Sequence, residues 1–383
     1  MLVWKTSDMG ACRIALTYTM ALALMLVAAE SQAAISFQPL GIASGYTSSY
    51  ANGVSSDGSV VVGYSDITNA SEAFRWTQGG GMQGLGDLPG AGFASASTGV
   101  SADGTIVVGR GWGSSGTEAF RWTNASGIVG LGDIPGGSSF STATAISANG
   151  QVIGGHGNNS SGEQELVRWT PPAVLQPLGY VTGSTHFGAV LASSADGGVL
   201  VGYSGSEAFR RTGAGGMIGL GDLSGGASQS DARALSADGS VAAGYGTSAA
   251  GVEAYRWTQS TGMVTLGDLS GGTVESRAFG ISGDGTIVVG YGTSANGQEA
   301  FVWDSINGMR SLRDLLASSG VDMTGWTLTQ ANAISTDGRT IVGYGTDPSN
   351  QVQAWVAVVP EPSSALIFIG AALLRLPRRR QRR

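Results

Sequence analysis

The stretch Leu235 to Leu269, LSADGSVAAGYGTSAAGVEAYRWTQSTGMVTLGDL, is a unit from which nearly all of the chain is copied. A fixed period of this size has to be interpreted before any local motif. Inside it, Ser236-Ala237-Asp238-Gly239 signals a tight turn, because Asp and Gly accept the positive φ that hairpin turns demand. Apolar residues precede that turn and Val241 to Tyr245 follow it. After Gly246 to Gly251, the run Glu253-Ala254-Tyr255-Arg256-Trp257-Thr258 alternates aromatic with small or polar residues, which is the two-residue period of a strand. Gln259 to Gly262 forms a second turn and leads into Met263 to Leu269. The unit reads as four strands and no helix: a before Asp-Gly, b after it, c with the aromatic motif, and d carrying Leu-Gly-Asp-Leu.

From Ile35 onward the unit is counted by its Asp-Gly turns (once Asn-Gly), whose glycines are Gly58, Gly104, Gly150, Gly197, Gly239, Gly285 and Gly338, spaced 46, 46, 47, 42, 46 and 53 residues apart. The aromatic strand recurs seven times, from Phe74-Arg75-Trp76 to Trp355-Val356-Ala357, and so does the Leu of strand d, from Leu40 to Leu312. The chain after Ile35 opens in a d strand and ends in a c strand. A ring gives that offset a purpose, since the first strand completes the last sheet. The expected fold is therefore all-β: a seven-bladed β-propeller of four-stranded blades closed by the N-terminal strand, spanning residues 35–359. The alternative is a β-solenoid with two coils per repeat.

Aromatic residues of strand c are expected to fill the gaps between blades. Each buries about 150–250 Å², which at ~25 cal/mol/Å² is up to roughly 4–6 kcal/mol before entropy. Arg211 stands where other repeats place Trp, so the fourth blade is expected to be the weakest. Regularly placed Asp87, Asp133, Asp222, Asp268 and Asp314 suggest a bridge in each blade to arginines of strand c such as Arg75, Arg121, Arg210 and Arg256.

The ends differ in texture from the repeats. Residues 1–34 carry Lys5 and Arg13 ahead of the apolar run Ile14 to Ala29 and small residues ending at Ala33-Ala34, the layout of a signal peptide. The single Cys12 falls in that leader, which leaves the repeats without a thiol or a disulfide framework. Between residues 35 and 358 stand 12 Arg and 24 Asp and Glu, a charge of about −12 that disfavours nucleic acid as a partner.

Residues 360–383 comprise Pro360-Glu361-Pro362, an apolar run from Ala365 and an Arg-rich end. This tail resembles the PEP-CTERM sorting signal of Gram-negative bacteria, with Pro360, Glu361 and Pro362 as the motif. The resemblance implies processing by an exosortase-type protease after signal peptidase, and delivery to the cell surface or the medium. The resemblance implies a transient inner-membrane association through this segment; the apolar run Ala365 to Leu376 departs from the pattern, being shorter than the about 20 residues that a full span needs. The repeats resemble the HAF-repeat family of extracellular bacterial proteins. The matching residues are Ala73 to Trp76, Leu85-Gly86-Asp87-Leu88, Ser101 to Gly104 and Gly325-Trp326-Thr327-Leu328. That resemblance implies a location and a shape, and no activity.

Catalytic chemistry is hard to assemble from this composition. Only His156 and His186 exist, and no Ser lies in a nucleophile elbow. One carboxylate per blade is short of the six to eight oxygens that calcium takes, so neither metal nor cofactor is expected. The informative variation is at the close of strand b, where Tyr64, Arg110, His156, Tyr203, Tyr245, Tyr291 and Tyr344 follow one another. Blades two and three break the tyrosine series. The b-to-c and d-to-a loops share one face of a propeller, which would gather Arg110, Trp112, His156 and His186 into a ligand site suited to a sugar ring. The expectation is a monomeric, exported, non-enzymatic surface or matrix module that binds extracellular polysaccharide; the competing class is an extracellular carbohydrate-active enzyme on the same scaffold.

Overall fold

A computed structural model describes residues 34–359 except 91, 93, 171–173 and 214. The leader to Ala33, and the Pro360-Glu361-Pro362 motif with its tail, lie outside the described residues. Four strands fill each repeat, and the repeats form seven antiparallel blades: five are separate four-stranded sheets, and blades five and six are joined by one parallel pair, Val252 with Glu275, into an eight-stranded sheet. The seventh blade takes its outer strand from the other end of the chain. Ser36–Gly41 pairs antiparallel with Val352–Val358, from Ser36 opposite Val358 to Gly41 opposite Ala354. The protein is a seven-bladed β-propeller closed by its N-terminal strand.

The tight turns between strands a and b close the ring a second time. In each, the Ser side chain donates to the Asp or Asn two residues on and accepts from the first N–H of strand b, as Ser236 does at 2.7 Å from Asp238 and 2.9 Å from Val241. The turn glycine has positive φ, 72° at Gly239, which only glycine tolerates without strain. The residue after each Ser then donates its N–H to the next blade. Ser56 bonds to Ala102, Ala102 to Ala148, Ala148 to Ala195, Ala195 to Ala237, Ala237 to Gly283, Gly283 to Thr336, and Thr336 back to Ser56, all at 2.9–3.1 Å. No open solenoid can complete such a circuit.

Apolar clusters fill the spaces between blades. Strand b contributes residues to both of its neighbours, with Val61 facing blade seven and Val62 facing blade two, as expected for a sheet covered on both sides. Trp169, Trp355, Tyr255, Phe74, Phe120, Phe209 and Phe301 are fully buried. Buried serines staple one blade to the next: Ser95 donates to Gly86 O at 2.6 Å and accepts from Ala73 N at 3.0 Å, and Ser49, Ser141, Ser230 and Ser276 repeat the pattern.

Two expectations are corrected. Strand d ends before Leu-Gly-Asp-Leu, for instance at Gly84. The motif is a turn whose Gly86 has φ 80° and whose leucines anchor the blade-to-blade link, Leu88 being buried. The Asp-to-Arg bridges are also not what forms. Arg75, Arg210 and Arg256 reach across to the carbonyl of the turn glycine in the next blade, at 3.0, 3.1 and 2.9 Å from Nε. Asp87 instead accepts from the backbone N–H groups of Leu88, Ala94 and Trp112. In the last link a helix, Leu312–Ser318, capped by Ser311, replaces the turn and accounts for the longest spacing.

Candidate functional site

Strand a is innermost, and each carries a register shift at the same place, which inserts one extra residue: Asn52, Thr98, Thr144, Leu191, Arg233, Phe279 and Asn332. A bulge re-aims its side chain. Around four blades that side chain laces the axis together. Asn332 donates to Ala51 O at 2.7 Å, Asn52 to Ser97 O at 2.9 Å and Thr98 to Ala143 O at 2.7 Å, and Thr144 donates to Val190 O. Leu191, Arg233 and Phe279 break the lacing over blades four to six. Large side chains enter there instead.

Strand b starts at the turn circuit and closes at the opposite face, where the d-to-a links also lie: the Trp112 N–H bonds to Asp87 at 2.9 Å. Strand b does not close at its tyrosine as expected but runs on, to Ile67 beyond Tyr64 and to Gly113 beyond Arg110, so the tyrosines lie within the strand, packed beneath this face. Tyr50 stacks on Tyr64 at 4.9 Å and meets Tyr344 edge-on at 5.0 Å, and burial pushes the Tyr64 hydroxyl up to about 12. On blades five and six, Asp231 accepts from Arg233 at 2.8 Å and from the Tyr245 hydroxyl at 2.8 Å. The Arg277 guanidinium lies over the Tyr245 ring at 4.6 Å and 6.0 Å from Tyr291. Glu275 takes the Tyr291 hydroxyl at 3.2 Å and Arg277 at 3.4 Å.

The four residues expected to form a site are only partly brought together. Arg110 and Trp112 are exposed and stand two apart on one strand, so they share a side. The Arg110 charge reaches both Tyr64 and His156. His156 packs its ring 5.7 Å from Phe140, and burial, followed by Arg110, holds its imidazole down to about 4. It is therefore neutral at pH 7. His186 belongs to another group, stacked on Tyr180 at 4.8 Å and bonded to Glu163 at 2.9 Å. Trp112 and Phe187 are 47% and 48% exposed, which makes them large apolar surfaces open to a ligand on this face. Among the described residues no group of three His, Cys, Asp or Glu converges as a metal site.

Arg233, Phe279 and Arg277 are additions that the strand-b series does not suggest. A signal for two of them exists, since Arg233 and Phe279 occupy the column six residues before the turn glycine, where the other repeats put Asn, Thr or Leu.

No family model and no curated protein matches the chain. Among solved structures it is similar to an oligogalacturonate lyase from Vibrio parahaemolyticus, with TM-score 0.52 and 10% identity over 86% of this chain and 98% of that one. Prolyl endopeptidases are similar with TM-score 0.50 and 12% identity, over 82% of this chain and 50% of that one. TolB from Acinetobacter baumannii gives TM-score 0.44 and 11% identity, over 84% and 66%. The chain thus spans half of the endopeptidase and just under two thirds of that TolB. At such identities the likeness to the lyase and the endopeptidases is one of fold, the β-propeller.

Proposed function

We propose that the chain is an exported, non-enzymatic interaction module that binds polysaccharide on the face where strand b closes. The observation that carries this reading is the coexistence on one face of exposed aromatic surfaces, Trp112 and Phe187, with the polar groups of Arg110 and Arg277. Sugars bind by that combination: an apolar ring face stacks while hydroxyls take hydrogen bonds. Export rests on the leader and on the Pro360-Glu361-Pro362 tail, which make signal peptidase and an exosortase-type protease the processing partners.

Affinity electrophoresis against a polysaccharide panel tests the binding reading. A binding module is retarded and leaves the polymer intact, whereas turnover of any polymer would establish the enzyme instead. Trp112→Ala is expected to weaken retardation by about 1–3 kcal/mol, the scale of an aromatic anchor. Tyr64→Ala and Tyr245→Ala should act through stability, because those rings are part-buried and packed. Melts matched to the parent must accompany each variant. Equal retardation of Trp112→Ala and the parent would remove Trp112 from the site.

A further inference from the structure

We propose that the arc of this face formed by blades five and six is a subsite for the carboxylate of an acidic sugar, with Arg277 as its anchor. The inference rests on the glycan-binding reading and adds the chemical class of the ligand.

The two arginines of the arc are held in unequal ways. Arg233 is consumed by the protein: it sits 2.8 Å from Asp231, whose side chain is 15% exposed, and 2.8 Å from the Tyr245 hydroxyl. Arg277 is held loosely by charge and firmly by shape. Its bridge to Glu275 is long, 3.4 Å, and the two side chains are 32% and 41% exposed. An ion pair this open to water contributes little. The guanidinium nevertheless rests against the ring of Tyr245 at 4.6 Å, with Tyr291 at 6.0 Å, which restricts the side chain before a ligand arrives.

Nε of Arg277 is buried without a partner, so an incoming carboxylate meets the two terminal nitrogens. A forked pair with a ligand carboxylate is stronger than the long single contact to Glu275, and Glu275 can turn out into solvent as it is displaced. Phe279, 5.8 Å from Tyr291 and 6.5 Å from Tyr245, adds an apolar ring to the same arc, its face 5.9 Å from the Arg233 guanidinium. A carboxylate next to an apolar ring face is the signature of a uronic acid. On blade two, exposed Arg110 has no carboxylate within 4 Å among the described residues, which offers a second positive point on this face to a chain bearing repeated carboxylates.

Calorimetric titration of the full propeller with an alginate trisaccharide and with maltotriose tests the class. The trisaccharide of uronic acids should bind at least about tenfold more tightly, the scale of one charge-assisted hydrogen bond. Arg277→Gln should abolish that preference, bringing the acidic trisaccharide down to the affinity that the variant shows for maltotriose. Glu275→Gln removes the competing carboxylate and should raise affinity for the acidic trisaccharide several-fold, a gain that misfolding cannot imitate. Equal affinity for the two trisaccharides, or a preference that survives Arg277→Gln, would overturn the subsite and leave glycan binding standing. Failure of both trisaccharides together with the whole polysaccharide panel would overturn both readings.

Discussion

At the scale of single residues, His156 couples the face to pH. Its folded imidazole lies at about 4, against 6.5 for the free side chain, because burial and then Arg110 oppose the charged form. The unfolded chain therefore takes up a proton below pH 6.5 that the native state refuses until about pH 4. Stability from this group is complete above 6.5 and is lost as pH falls toward 4, by about 3 kcal/mol at the full extent. Carboxylates of the tight turns act lower, since hydrogen bonds from Ser236 and Ser240 hold Asp238 down to about 2. The two windows separate. Denaturant unfolding of the parent and of His156→Gln at pH 7, 5 and 4 is expected to show a steeper loss for the parent between 7 and 4; parallel curves would remove His156 as the cause.

At the scale of elements, strands a, b and c were legible because their signals are local: Asp-Gly fixes a turn, and alternation around Phe-Arg-Trp fixes a strand. Strand d is harder to delimit, since Leu-Gly-Asp-Leu is apolar enough to look extended while Gly86 in fact needs positive φ. The bulges of strand a escaped sequence reading for a different reason. A register shift exists only relative to a partner strand, and nothing within the strand itself announces it. The partners of the strand-c arginines are not legible in the sequence because their reach carries them into the next blade. Element by element, blade four is expected to be the weak one: Arg211 is only part-buried where Trp76, Trp122 and Trp257 are 6–7% exposed and Trp169 is fully enclosed, and Arg211 lacks the ring that part-buried Trp303 still supplies. Less apolar area is removed from water there. Native-state hydrogen exchange should show Val199–Ser204 and Glu207–Thr212 opening before Ile153–Asn158 and Gln164–Thr170, and Arg211→Trp should slow the first pair; equal protection across blades three and four would contradict this.

At the scale of the molecule, closure is made in three layers, and they are not equivalent. The turn circuit from Thr336 to Ser56 and the bond from Asn332 to Ala51 close the ring near its axis. Ser36–Gly41 closes it at the rim, burying Leu40 and setting Phe37 5.0 Å from Trp326 and 6.3 Å from Trp355. Deleting residues 35–41 should therefore leave a circular core and expose the edge of Val352–Val358. The lost burial of Phe37 and Leu40 is worth about 3–6 kcal/mol, which for a chain of this size lowers the melting temperature by about 4–9 °C. An unpaired strand edge also recruits other chains, so dimers or larger species should appear by light scattering. The decisive comparison is rescue: a synthetic peptide spanning Ile35 to Gly41 should restore both the melt and the monomer, because the vacant ladder needs only five residue pairs, whereas a peptide with Phe37 and Leu40 replaced by Ser should restore neither. A deletion variant that melts like the parent and stays monomeric would mean that the inner layers alone hold the ring shut.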